Sequence, residues 1–303
     1  MTHFMGRSVV PDDLGLQVRG RDDTADWLEI SLLVSGTRPV GRDEVIRLAA
    51  DEPKVGETLA SQAIAAIKAR KELLGDAYPF EAMGGGLAVR AKPAAVGFAY
   101  ASLLLLTSGS VARQTVLRES TSEMEVMLEL LTESALARLW GPDSRSLRFG
   151  YPSEHGRPAL FPDAIEWLAS EMGIEVGGGY RPPRRKDGGV DVVAWRPFPD
   201  GRSGFPVVLA QATLQSEIFS KSADVDVRIW SSWLNLDFEP QTALAIPGLV
   251  PSLAEWGQLA LRSMILDRFR LSHLTGAATD DRSAAWATGV VAQLSDLMLI
   301  GQT

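Results

Sequence analysis

Two oxygen-bearing side chains, Asp191 and Gln211, stand in short apolar runs that otherwise carry no reactive groups. Asp191 follows Lys186-Asp187-Gly188-Gly189-Val190 and leads into Val192-Val193-Ala194-Trp195, while Gln211 lies near the end of Phe205-Pro206-Val207-Val208-Leu209-Ala210-Gln211-Ala212-Thr213. Both runs have strand composition, and the Pro/Gly-rich segment 197–204 between them reads as a hairpin-like loop, so the spacing predicts neighbouring strands over 190–196 and 205–213. Hydrolysis of a phosphodiester with a hard divalent cation needs oxygen ligands converging from rigid elements, usually with a Lys near the attacking water. An acid at a strand start is more often a solvated edge residue, and a buried Gln is more often a hydrogen-bonded core residue. Pairing the two on adjacent strands is what points to a metal shell.

Just before Asp191 runs Arg181-Pro182-Pro183-Arg184-Arg185-Lys186, four positive charges in six residues. In a chain of net charge −8, with 30 Lys and Arg against 38 Asp and Glu, such a local cluster fits contact with a phosphate backbone; a solvated loop extended by its prolines fits equally. The acidic balance argues against broad nonspecific nucleic-acid binding but leaves a local basic cleft open. Trp195, Trp230 and Trp233 read as core anchors rather than base-stacking platforms, the last two being three apart on one helix face.

Composition closes several other routes. The 303-residue chain has no Cys, so a disulfide framework, a thiolate zinc site and a Cys nucleophile are excluded, and three scattered His argue against a His-rich metal site. A small-molecule enzyme has no support from a nucleotide fingerprint, a nucleophile elbow or a His-based triad. Gly84-Gly85-Gly86 lacks the Lys-Ser/Thr of a phosphate loop and reads as a turn. Met1–Val10 has no signal-peptide pattern, and Ala94–Leu106 is about half the ~20 residues that span a bilayer. A soluble, cytoplasmic protein is the expectation.

The elements that must hold the pair follow from periodicity. Residues 1–24 read as an irregular start. Helices are expected over 42–50, 55–74, 94–107 and 122–139, with a small hairpin at 78–89, so residues 1–145 form a mainly helical module without recognisable chemistry. The expected α/β domain, 146–303, has a helix over 162–172 begun by Pro162 and ended by Gly173, the two strands, a helix over 223–234, a strand at 243–246, one or two helices over 251–274 and a last helix over 284–299. Segment 174–180 is the candidate for one further strand.

The Asp191 and Gln211 runs, over roughly residues 145–250, resemble the core of the PD-(D/E)xK, restriction-endonuclease-like nuclease superfamily. There an acid opens one strand, and an acid or Gln followed by x-Lys sits on the next. The resemblance implies an α/β core with a small mixed sheet, Mg²⁺ or Mn²⁺ held by Asp191 and Gln211, and a further carboxylate from the preceding helix, Glu166, with Glu154 as the alternative. The chain departs from the pattern where Lys is expected, because that position is Thr213. A neutral hydroxyl cannot stabilise developing charge as an ammonium does. Either the charge has migrated, with Lys186 and Lys221 as candidates, or the site is inactive and the protein is a binding or scaffolding subunit. Three stretches, Lys186–Gly201, Leu74–Phe80 and Asp267–Leu271, also look like uncharacterised bacterial members associated with antiviral defence. That likeness implies a nucleic-acid partner, DNA or RNA, and a protein partner in a defence complex.

Overall fold

The computed structural model describes residues 21–35, 40–41, 53–83, 88–91, 97–153, 155–179, 188–250, 252–276 and 281–300. The expected helix at 42–50, the glycines 84–86, Glu154 and the basic loop Arg181–Lys186 lie outside them. The chain divides into two compact units, one of Met1–Thr121 with Gly276–Thr303, the other of Ser122–Thr275. Among the described residues, no helix is long and apolar enough to cross a membrane.

The first unit is mainly helical: α1 (Arg21–Ser35), α2 (Pro53–Leu74), α3 (Phe98–Leu106), α4 (Val111–Gln114) and α11 (Asp281–Ile300), with α1 and α2 packed against a three-stranded antiparallel sheet in the order β1 (Val40–Gly41), β3 (Ala88–Ala91), β2 (Phe80–Met83). The expected hairpin is there, with Phe80 opposite Ala91 and Met83 opposite Ala88. Helix α1 starts at Arg21, inside the stretch expected to be irregular, with Asp22 and Asp23 in its first turn where the helix dipole favours acids. The apolar stripe of α2, Ala60, Ala63, Ile67 and Leu74, is buried, and Arg70 is buried on the same stripe. Its guanidinium donates to Asp26 Oδ1 at 2.8 Å, Glu29 Oε1 at 2.8 Å and Asp22 Oδ1 at 3.0 Å. The hydroxyls of Tyr78 and Tyr100 donate to the two oxygens of Glu29. Burial alone would lower the Arg70 pKa, but Glu29 and its neighbours push it well above the ordinary value, while burial and Glu29 raise Tyr78. Helix α11 packs on α3, which places it in this unit rather than with the α/β elements.

The second unit is an α/β fold on a mixed five-stranded open sheet, β4 (Arg145–Arg148), β5 (Val192–Trp195), β6 (Val207–Ala212), β7 (Gln241–Ala245) and β8 (Met264–Leu266), in that spatial order. The first three strands are antiparallel in sequence, and β6, β7 and β8 run parallel. Every residue of β5 is buried, as expected of a strand covered on both faces. Against one face pack α6 (Phe161–Met172) and α8 (Val227–Trp233): Leu147, Val193, Leu209, Leu168, Trp230 and Trp233 belong to one apolar cluster. All three tryptophans singled out in the sequence are core residues, 0–3 % exposed. Towards the other edge of the sheet, Leu244, Ile246, Leu259 and Ile265 form a second cluster. Helix α6 has Pro162 in its first turn and ends on Gly173 at φ 71°, as its punctuation predicts.

Three expectations are corrected. The additional strand is β4, not 174–180, where Val176 makes only an isolated bridge to Leu234. The helix expected over 223–234 begins later, as α8 at Val227, because the Asp226 side chain accepts the main-chain N–H groups of Arg228 and Ile229 and so caps the helix start there; a separate four-residue helix, α7 (Ile218–Lys221), precedes it. Ile265 and Leu266, read as helical, belong to β8, between α9 (Leu253–Ala260) and α10 (Arg268–Thr275). Their pairing with β7 overrides a local pattern that suits a buried helix equally well.

Candidate active site

Strand β5 begins one residue after Asp191, and the turn that feeds it is built from two glycines in the left-handed region, Gly188 at φ 65° and Gly189 at φ 80°. A Cβ on Gly188 would stand 2.9 Å from the Trp233 ring, and one on Gly189 would stand 3.1 Å from the Asp224 carbonyl oxygen. The Trp230 indole N–H donates to the Gly188 carbonyl at 3.1 Å, which clamps the turn to α8. The glycines therefore allow close approach, and what approaches is the protein's own α8 and the turn before it.

Asp191 is half-buried and anchored in three directions. Its N–H donates to the Ala210 carbonyl at 2.9 Å, and its carbonyl accepts from Phe149 N at 2.7 Å and Gly150 N at 3.1 Å. Its Oδ2 accepts the Ala212 N–H at 2.8 Å. Asp191 thus grips β6 on either side of Gln211, and its carboxylate extends the ladder just before β5 begins.

Gln211 lies on the helix-covered face of the sheet, level with Leu244 on β7 and two residues beyond Leu209. That position is the seam between the two apolar clusters, and Gln211 is 6 % exposed. Its Nε2 donates to Asp224 Oδ2 at 3.3 Å, and the Lys221 ammonium sits 3.5 Å from the same oxygen. Its Oε1 is buried and accepts no hydrogen bond from any described residue. An unsatisfied buried acceptor of this kind costs about 1–3 kcal/mol.

The structure thus brings Asp191 and Gln211 to adjacent strand ends and links Lys221 to Gln211 through Asp224. Glu166 is exposed on α6, and no hydrogen bond or ion pair among the described residues joins it to either. Thr213, standing where Lys was expected, is 6 % exposed and its hydroxyl accepts the Gln215 N–H at 3.2 Å, closing the turn after β6. Lys186 and the arginines at 181, 184 and 185 fall outside the described residues. Among those described, no three His, Cys, Asp or Glu side chains gather as a metal-binding group.

Two sets of residues escaped the sequence reading. Asp224 is one: the helix expected over 223–234 takes it into its first turn, and the cap at Asp226 is the signal that the helix begins later. The other is on α5 (Thr121–Leu136), where Glu125, Glu129 and Glu133 recur every fourth residue. Glu129 pairs with the buried Arg148 at 3.3 Å and its Oε2 would stand 2.7 Å from a Cβ on Gly150, whose N–H holds the Asp191 carbonyl. Glu133 pairs with His155 at 2.8 Å; burial raises its pKa and His155 pulls it back. Beside the Lys221–Asp224 turn opens a cleft of about 780 Å³, lined by Ser222, Ala223, Trp256, Arg262 and Arg270, with the Arg270 guanidinium 4.4 Å over the Trp256 ring.

No protein-family model, curated protein or solved structure matches the chain.

Proposed function

We propose that this protein hydrolyses phosphodiester bonds in nucleic acid with a divalent cation, Mg²⁺ or Mn²⁺, held by Asp191 and Gln211. The observation that carries the reading is the orphaned Gln211 Oε1: a buried oxygen acceptor without a hydrogen bond from any described residue, on the strand that the Asp191 carboxylate grips. A buried acceptor left without a partner needs an explanation, and a hard cation satisfies amide and carboxylate oxygens alike. The residues present therefore fit such an ion. Bound there, it would draw charge from the phosphate oxygens and lower the pKa of the attacking water. Asp191 contributes the anionic ligand and Gln211 a neutral one. Lys221, paired with Asp224, is the ammonium next to the site and takes the charge-stabilising role that Thr213 cannot. Glu166, exposed on α6, has the weaker case as a third ligand; Glu129, held against Gly150, is the carboxylate nearer the Asp191 loop. Lys186 is the other amine assigned here, and with Arg181, Arg184 and Arg185 it would contact the phosphate backbone of DNA or RNA.

The test is incubation of the purified chain with labelled single- and double-stranded DNA and RNA, with Mg²⁺, Mn²⁺ or EDTA. Metal-dependent cleavage supports the reading. A folded protein that neither cuts nor binds Mn²⁺ supports the second reading, a catalytically silent subunit that binds nucleic acid or a protein partner. That alternative is favoured by one observation, the engagement of the Thr213 hydroxyl in the turn at the position of the missing Lys. The likeness of three stretches to defence-associated bacterial proteins extends either reading to antiviral defence.

A further inference from the structure

We propose that Asp224 is the positioning residue of this site: its carboxylate fixes the Gln211 amide with Nε2 towards Asp224 and leaves Oε1 as the acceptor offered to the cation. The inference rests on the metal reading above for what Oε1 does, but not for how it is oriented.

An amide has a donor end and an acceptor end of nearly equal shape, and rotation about its last torsion exchanges them. Only the acceptor end can ligate a cation. Among the described residues, the group bonded to this amide is Asp224 Oδ2, 3.3 Å from Nε2, and it accepts only from the donor end. The reversed amide would set Oε1 against a carboxylate. Lys221, 3.5 Å from the same Oδ2, ties that oxygen in place on its other side.

Asp224 is itself held. Its N–H donates to the Lys221 carbonyl at 3.1 Å in the turn between α7 and α8, and Gly189 packs directly against its main chain. The Gly188–Gly189 turn that delivers Asp191 to its strand is therefore the same turn that seats Asp224. One loop contact sets both the anionic oxygen and, through Asp224, the neutral one.

The idea makes a rescue prediction that a purely structural Asp224 does not. A carboxylate at position 211 has an oxygen at both ends and needs no orientation. Asp224→Ala should weaken Mn²⁺ binding by roughly 10–100-fold, the range for losing a residue that orients a metal ligand. Adding Gln211→Glu to that variant should bring Mn²⁺ affinity back to at least the wild-type level. Both are read by titration calorimetry on the full chain, with circular dichroism to show that each variant is folded. Weak binding in the double variant overturns the proposal. Independently, in metal-free wild-type protein the side-chain Hε protons of Gln211, assigned by their loss in Gln211→Glu, should be protected from solvent exchange and lose that protection in Asp224→Ala. Unchanged protection overturns the positioning role. A wild-type chain that binds no Mn²⁺ overturns the metal reading instead, and the exchange measurement alone then decides the role of Asp224.

Discussion

Asp191 Oδ2 accepts the main-chain N–H of Ala212 at 2.8 Å, so one carboxylate both ends the β5–β6 ladder and stands beside the candidate metal ligand Gln211. Removing it has a structural cost. Asp191→Ala leaves a half-buried N–H without its acceptor and should destabilise the second unit by about 1 kcal/mol. Asp191→Asn keeps an acceptor there and should cost less. Urea unfolding of the two variants checks the difference, and it makes Asn the better substitution for asking about activity.

The glycine turn should tolerate no side chain. Gly189→Ala places a Cβ 3.1 Å from the Asp224 carbonyl at φ 80°, and Gly188→Ala places one 2.9 Å from Trp233 at φ 65°. Left-handed strain alone costs about 1–2 kcal/mol, and the contacts add to it. Each variant should lower the urea midpoint, with the intrinsic fluorescence of Trp230 and Trp233 altered in Gly188→Ala.

The buried charges of the first unit should be interdependent. Glu29 is 0 % exposed and Arg70 is 2 % exposed. Arg70→Met leaves Glu29 with the hydroxyls of Tyr78 and Tyr100 in place of a cation, and breaking a buried pair from one side costs about 3–5 kcal/mol. Thermal unfolding should show the loss in full. In an Arg70→Met/Glu29→Leu double variant much of it should be recovered, because no uncompensated charge remains at position 29.

Asp267 should give a pH-dependent stability of the unusual sign. Burial raises its pKa above the ordinary 3.8, with Arg270 and Arg268 opposing the shift. The folded chain then holds a proton that the unfolded chain has lost at any pH between 3.8 and the raised value. Stability from this group is present below that window and falls as pH rises through it. Asp267→Asn keeps an acceptor for the Arg270 N–H and should flatten that slope, which unfolding midpoints measured from pH 3.5 to 7 would reveal as a shallower fall of stability with rising pH than in wild type.

Much of the positioning scaffold was legible in the sequence because each piece carried local punctuation. Pro162 and Gly173 bound α6, and two β-branched runs either side of a Pro/Gly loop became β5 and β6. What was not legible depends on contacts far apart in sequence. Strand β4 is four residues with two arginines, and its strand character comes from pairing with β5. Ile265 and Leu266 suit a helix or a buried strand equally until β7 lies beside them. At the site, the pairing of Asp191 with the Gln211 strand followed from spacing alone. The partners of Gln211 did not, since Asp224 lies in the turn before α8 only because the cap at Asp226 starts that helix at Val227, and a glycine pair lets the turn close.

The most direct test of the central claim is cleavage of labelled DNA and RNA, single- and double-stranded, by wild type beside Asp191→Asn, in Mg²⁺ or Mn²⁺. The account predicts cleavage that EDTA abolishes and that Asp191→Asn reduces by on the order of a hundredfold or more, with the variant's unfolding midpoint near wild type. Equal cleavage by the two proteins, or none of any substrate by a folded wild type, would contradict it.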